Sequence, residues 1–336
     1  MAPKILICEA LIWAQDDLHS LLGSISEIIY MDSPDRASFI GECLPGGKYD
    51  GVAGIYRENG SAKRIGKFDK QLIDGLPGSV KWIAHNGAGY DPVDVHACKA
   101  RGIYLSNTPV AVDEATATTA LYLVLATMRQ FSLGERSLRE LKWKPDVKAR
   151  THDLTGKTLA ILGLGGIGKR LAELAHAFPM RIIYHNRKRA EDAPDYCEYF
   201  ADVEEMLGQA DVLSLHIPLR KDTEGLVGEK WIRTLKRGAI IVNTARGKVI
   251  DEEAMIKALE DGHLGSVGLD VFPNEPHVNP RLLEFPQVTL LPHMGTENQD
   301  SQRRMEVRAL QNLRDFLMTG MGKDLVIEFK GERAKA

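Results

Sequence analysis

Thr158-Leu-Ala-Ile-Leu162-Gly163-Leu-Gly165-Gly166-Ile167-Gly168-Lys169 is the stretch whose reading decides the fold. A short strand-like run leads into G-x-G-x-x-G, and a helical pattern follows to residue 178. In that setting the glycines allow a tight turn, a close approach of backbone to a pyrophosphate, and close packing of helix on strand, with the helix N-terminus facing the anion. A glycine-rich turn alone is common; the strand before it and the helix after it make the dinucleotide reading specific. Gly163, Gly165, Gly166, Ile167 and Gly168 are therefore candidate phosphate contacts.

Outward from this loop, short β-branched runs alternate with amphipathic helical patterns. Residues 4–8, 51–55, 80–85 and 103–105 form one series of expected strands, and residues 158–162, 181–185, 212–217, 239–243, 266–271 and 288–291 a second. Alternation of this kind predicts α/β layers, and continuous apolar runs predict parallel sheets covered on both faces. Residues 113–141 read as one long helical stretch, too apolar around 115–128 to face water alone, which predicts packing between domains or a homodimer. A last helix is expected over residues 297–318.

With 336 residues the chain exceeds the roughly 250–300 at which one core usually divides, so two domains are expected. Forty-three basic and 46 acidic residues leave a formal charge of -3, which gives no bulk attraction to nucleic acid or to an anionic membrane. Cys8, Cys43, Cys98 and Cys197 are scattered without a C-x-x-C pair and read as reduced packing residues. No Cys or His spacing suggests a metal, so none is expected. The first residues run directly into a strand, with neither a leader nor a run long enough to span a bilayer, and a cytoplasmic protein is the expectation.

The coenzyme is read from the end of the second strand of the second series, Tyr184-His185-Asn186-Arg187-Lys188-Arg189. An NAD-selective site places a carboxylate there for the ribose 2′-hydroxyl. Asn186 stands instead, and Arg187 and Lys188 follow, so a 2′-phosphate gains charge-assisted hydrogen bonds. NADP(H) is preferred on this reading; a solvated basic turn that accepts NAD(H) stays open.

Three polar segments end later strands: Asn243-Thr244-Ala245-Arg246-Gly247, Leu269-Asp270-Val271-Phe272-Pro273-Asn274-Glu275-Pro276, and Pro292-His293-Met294-Gly295-Thr296. Carboxyl ends of parallel strands are where such sheets bind ligands. Each of Arg246, Glu275 and His293 alone is an ordinary turn or surface residue. Together, beside a dinucleotide loop, they suit hydride transfer: a guanidinium to grip a carboxylate, an imidazole to supply a proton, and a carboxylate to keep that imidazole protonated.

With Gly87-Ala88-Gly89-Tyr90-Asp91, the glycine loop and these three segments in this order, the chain resembles the D-isomer-specific 2-hydroxyacid dehydrogenase family over nearly its whole length. His85 to Asp91, Tyr184 to Arg187 and Pro292 to Thr296 look most like the glyoxylate reductases of fungi. The resemblance implies two doubly wound parallel-sheet domains, with a Rossmann coenzyme domain at residues 113–296 inserted into a flavodoxin-like substrate domain at 1–112 plus 297–336, and opening and closing of the two during turnover. It implies Arg246, Glu275 and His293 as substrate arginine, supporting acid and general acid/base, and Gly87, Ala88 and Gly89 with Arg246 as the substrate carboxylate site. It further implies coenzyme contacts from Thr116, Ile217, Pro218, Thr244, Ala245, Asp270 and Gly295 beside the loop, Asn186, Arg187, Lys188, Arg246 and His293. Thr118 departs from the acidic residue many members carry there. A small 2-oxoacid or 2-hydroxyacid is the implied substrate. A D-mandelate-type or branched-chain enzyme, with Trp13 and an expected loop Ile55-Tyr56-Arg57 as pocket walls, and a dinucleotide-sensing corepressor are the alternatives.

Overall fold

The structure is a computed structural model that describes residues 2–144, 147, 151–329 and 331. The chain divides into two compact units, Met1–Val112 with Asn298–Ala336, and Asp113–Glu297. In the first, β1 (Lys4–Ile7), β2 (Glu27–Tyr30), β3 (Val52–Arg57), β4 (Trp82–His85) and β5 (Tyr104–Ser106) form one parallel sheet in the order β2-β1-β3-β4-β5. That is the flavodoxin-like winding, with its reversal between β1 and β3. In the second, β6 (Thr158–Leu162), β7 (Arg181–His185), β8 (Cys197–Tyr199), β9 (Val212–Leu215), β10 (Ala239–Asn243), β11 (Leu264–Leu269) and β12 (Thr289–Leu290) pair in parallel in the order β12-β11-β10-β9-β6-β7-β8. Counted from β6 this is the Rossmann order 3-2-1-4-5-6 with one strand added, and it reverses between β6 and β9.

All ten expected strands are present, three with unchanged ends and seven with ends moved by one or two residues. Two others were not foreseen: β2 has half-exposed isoleucines between exposed Glu27 and Tyr30, and β8 has only three residues. Both are edge strands, where one-sided pairing removes the continuous apolar run that marks a central strand. Ile55, Tyr56 and Arg57, expected in a loop, are the buried end of β3.

The expected helix over 113–141 is two, Asp113–Arg129 and Phe131–Arg139, broken at Gln130, whose backbone is left-handed at φ 55°. Its apolar stretch is not a surface awaiting a partner. Ala117, Ala120, Leu123 and Val124 are fully buried, because the helix packs on the helix Gly166–His176 and on β10 and β11 of its own unit. The inference of a dimer from that stretch therefore loses its basis. Thr118 is exposed and simply donates its hydroxyl to Glu114 O at 2.7 Å. All four cysteines are buried thiols, and burial pushes Cys43 and Cys98 up to about 12. Among the described residues no helix is long and apolar enough to cross a membrane.

The closing helix, Gln299–Thr319, starts at Asn298, which accepts Ser301 N–H at 2.8 Å, and ends at Gly320 with φ 80°. It packs on β3 and β4 through Leu310 and Leu313. Its Glu306, almost fully buried, accepts the backbone N–H groups of Ile12, Trp13 and Ala14 at 3.0, 2.9 and 2.8 Å. One carboxylate thus satisfies the donors ahead of the helix Gln15–Leu22, whose own N-cap, Ala14, has no side chain to do so. Glu306→Ala leaves three N–H groups without this acceptor and is expected to cost about 2–4 kcal/mol, whereas Glu306→Gln, which keeps one, costs less. Urea unfolding of the three proteins measures both, and equal midpoints for wild type and Ala would refute the capping role.

Candidate active site

At the reversal of the second sheet, Gly163 follows β6 with φ +100°, and a Cβ built on it would lie 2.7 Å from His216 O. Neither feature tolerates a side chain. The loop then enters the helix Gly166–His176, whose N-cap, Gly165, makes no side-chain cap bond, so the first N–H groups are open to an anion. Asn186 has a role the sequence did not disclose: its Oδ1 accepts Leu164 N–H at 2.7 Å and braces the glycine loop. Arg187, Lys188 and Arg189 are exposed and have no hydrogen-bond or ion-pair partner among the described residues. Half-buried Ile217 and exposed Pro218 follow His216, which burial pulls down to about 4 and so keeps neutral near pH 7.

Beyond β10, the Asn243 side chain shapes the arginine loop by donating to Arg246 O and accepting Ala245 N–H, each at 2.9 Å. An asparagine bonded to backbone two residues on is an Asx turn, a signal present in the sequence though not used there. Arg246 donates from Nη1 to Ala245 O at 2.7 Å. Thr244 Oγ1 is buried with no partner among the described residues, an orphan that suits a polar ligand.

After β11, Asp270 carries the third loop. Its carboxylate accepts Met294 N–H at 2.6 Å and Gly295 N–H at 2.8 Å, and its carbonyl accepts His293 N–H at 2.8 Å. Burial raises Asp270 above the ordinary carboxylate range, against the pull of those two N–H groups and the His293 charge. His293 sits at φ +56°, a left-handed conformation that a β-carbon disfavours and that these three bonds impose. Thr116 donates to Gly295 O at 3.3 Å and closes the same loop, so Thr116 and Asp270, expected to contact coenzyme, also hold the loop that carries His293.

His293 Nδ1 lies 2.8 Å from Glu275 Oε2, while Glu275 Oε1 accepts Phe272 N–H at 2.9 Å. The hydrogen bond to Glu275 raises His293 above its ordinary value. Burial alone would raise Glu275, but the His293 and Phe272 hydrogen bonds and the charges of His293 and Arg246 hold it below the usual range. Each partner thus favours the charged form of the other. Among the described residues Nε2 of His293 has no hydrogen-bond partner.

In the first unit, the turn after β4 is pinned by its carbonyls. Gly87 O accepts Thr108 N–H at 3.0 Å, Ala88 O accepts Asn107 Nδ2 at 2.7 Å, and Gly89 O lies 2.9 Å from His85 Nε2. Gly87 N–H is already committed to Thr108 Oγ1 at 3.1 Å, so of the three expected anchors only Ala88 and Gly89 keep N–H groups without a partner among the described residues.

A dinucleotide loop at one sheet reversal, with an Arg and a coupled Glu–His pair on the neighbouring strand ends, defines a nucleotide-dependent dehydrogenase. A family profile for the D-isomer specific 2-hydroxyacid dehydrogenase, NAD binding domain, matches residues 121–295. The chain is 43% identical over 309 residues to 4-methyl-2-oxopentanoate reductase A of Aspergillus oryzae, covering 92% of this chain and 93% of that one. It superposes on a glyoxylate reductase from Paecilomyes thermophila with a TM-score of 0.93 and 42% identity, over 97% of this chain and 99% of the other. It also superposes on an NADPH-dependent glyoxylate/hydroxypyruvate reductase of Sinorhizobium meliloti, solved with NADP and malonate, with a TM-score of 0.82 and 30% identity over 98% of both chains. The chain belongs to the D-isomer-specific 2-hydroxyacid dehydrogenases, NAD(P)-dependent oxidoreductases.

Because Glu275 raises the His293 pKa, Glu275→Gln is expected to lower it. Were His293 the acid of reduction and the base of oxidation, the basic limb of the kcat/KM profile for reduction would move toward acid, and the acidic limb for oxidation would move the same way. Rate profiles of both directions check this; limbs that stay fixed would exclude Glu275 as the partner.

Proposed function

We propose that the chain is an NADPH-preferring reductase of small 2-oxoacids, glyoxylate first and hydroxypyruvate second. On this reading residues 113–296 bind coenzyme and residues 1–112 with 297–336 bind the substrate carboxylate. The 2.8 Å Glu275–His293 pair carries the proposal, because a carboxylate that keeps an imidazole charged builds a proton donor for a developing alkoxide.

The residues present fit a nicotinamide coenzyme: the uncapped helix at Gly165 and Gly166 suits a pyrophosphate, the orphaned Thr244 hydroxyl and Ala245 offer further polar groups, and Arg187 and Lys188 suit a 2′-phosphate. When bound, the coenzyme supplies the hydride that reduces the oxo carbon. Ala88 and Gly89 N–H groups and the Arg246 guanidinium hold the substrate carboxylate, and Arg246 stabilises negative charge on the carbonyl oxygen. His293 delivers its proton from Nε2 to that oxygen, while Glu275 retains the Nδ1 hydrogen bond and fixes the ring. Asp270 and Thr116 act by holding the His293 loop.

A branched-chain 2-oxoacid is the second reading, favoured by the Aspergillus relative. Initial rates with glyoxylate, hydroxypyruvate and 4-methyl-2-oxopentanoate rank the two. A homodimer is supported by exposed Phe131, Leu138, Leu141 and Trp143, which lie close together in sequence, and sedimentation tests it.

His293→Asn is expected to lower kcat by roughly 10²–10⁴ while coenzyme binding is kept, as for loss of a general acid. An unchanged kcat at neutral pH would remove His293 from the reaction.

For the coenzyme, unpartnered Arg187 and Lys188 predict a preference for NADPH of about tenfold or more in kcat/KM at low salt, eroded as salt screens exposed charge. Asn186→Asp with Arg187→Ala should lower or reverse the ratio. The carboxylate can still accept Leu164 N–H, so the loop keeps its brace. Equal efficiency of the wild type with NADH and NADPH would make residues 187–189 a solvated turn.

A further inference from the structure

Arg57 ends β3 beside the reversal of the first sheet, the edge where such sheets bind ligands. It is fully buried, yet among the described residues no carboxylate pairs with it, and its Nε and Nη2 have no hydrogen-bond partner. Phe68 lies under the guanidinium, 5.7 Å from ring centroid to Cζ. Burial pulls Arg57 below its ordinary value, while the charges of Glu58 and Asp91 oppose that. Packing alone would be served better by an apolar side chain, since a buried cation without a counterion is costly.

The one nitrogen in use shows what the residue does. Nη1 donates to Asn59 Oδ1 at 2.6 Å and meets His85 Nδ1 at 3.0 Å. A guanidinium only donates, so Nδ1 must be the bare nitrogen of His85 and Nε2 must carry the proton. That proton is what Gly89 O accepts at 2.9 Å. The other tautomer would set a lone pair against the Gly89 carbonyl. The ring also lies directly under the turn: a Cβ on Gly87 would come within 2.6 Å of Nε2.

We propose that Arg57 is a positioning residue for the carboxylate-binding turn: by donating to His85 Nδ1 it selects the tautomer that holds Gly89 O, and so leaves Ala88 and Gly89 N–H available to an anionic substrate. This rests on the 2-oxoacid reading of the site. The buried charge behind the turn adds to its attraction for a carboxylate and against a neutral carbonyl compound.

The test compares wild type, Arg57→Met and Arg57→Lys as full-length proteins with NADP⁺ present. Oxalate binding is measured by calorimetry, glyoxylate reduction by initial rates, and the His85 ring by ¹⁵N NMR. Arg57→Met should weaken oxalate and raise KM for glyoxylate by about tenfold, with kcat changed less than about threefold, and should move the His85 proton from Nε2 toward Nδ1. It should not lower the melting temperature, because it removes an uncompensated buried charge. Arg57→Lys keeps a donor and a charge and should recover most of the affinity and the Nε2–H tautomer. Arg57→Met with wild-type oxalate affinity and an unchanged His85 tautomer overturns the proposal, as does Arg57→Lys without recovery if the Met protein fails to fold. Wild type that binds no oxalate overturns the carboxylate reading itself, while the His85 tautomer in the variants still decides whether Arg57 sets it.

Discussion

Parallel pairing is the constraint on which the rest of this structure depends. Parallel strands cannot be joined by tight turns, so each crosses over through a helix and all of them end at the same edge. The loops after β6, β10 and β11 are therefore forced together in sequence-distant groups, and so are those after β3 and β4. At the two reversals of strand order the crossing helices diverge, which places the glycine loop at one of these points and the end of β3, with the buried Arg57, beside the other.

Loops at such an edge lack a ladder to fix them, and this chain fixes them with polar side chains turned back on the backbone. Asp270 spends a carboxylate on Met294 and Gly295, Asn243 an amide on Ala245 and Arg246, Asn186 an amide oxygen on Leu164, and Glu306 a carboxylate on residues 12–14. The consequence is a rigid display of a few groups whose hydrogen-bonding capacity is left over: His293 Nε2, Thr244 Oγ1, and the N–H groups of Ala88 and Gly89. The strained φ of His293 is tolerable only because three bonds to Asp270 oppose it.

The layered fold was legible because buried parallel strands are written as continuous apolar runs, and the glycine loop because its chemistry is local. Arg246, Glu275 and His293 were legible jointly, each beside a strand end. The edges β2 and β8 were not, since half-buried strands lose the apolar run, nor was the break at Gln130, where a residue without glycine's freedom adopts a left-handed backbone within an apolar helical pattern. Loop bracing escaped for a different reason. An Asp, Asn or Thr that binds backbone and one that binds a ligand have the same letter, so the sequence did not reveal that Asp270 and Thr116 hold the loop that carries His293.

The same ambiguity explains why the two ends of the proposed reaction are built so differently. A proton donor must change charge during turnover, and His293, the donor on the proposed reading, is half-exposed and coupled to a carboxylate whose own position is held by Phe272 N–H. An anchor for a carboxylate must not change charge, so it is made from peptide N–H groups, which cannot titrate, on a turn held by a histidine whose proton is fixed by an arginine, which does not titrate in this range either. On the proposed reading the coupled pair Glu275 and His293 lies in the loops after β11 and β12, where a change of charge serves the proton transfer, whereas the groups that face the carboxylate are peptide N–H groups in the turn after β4, whose charge does not change with pH.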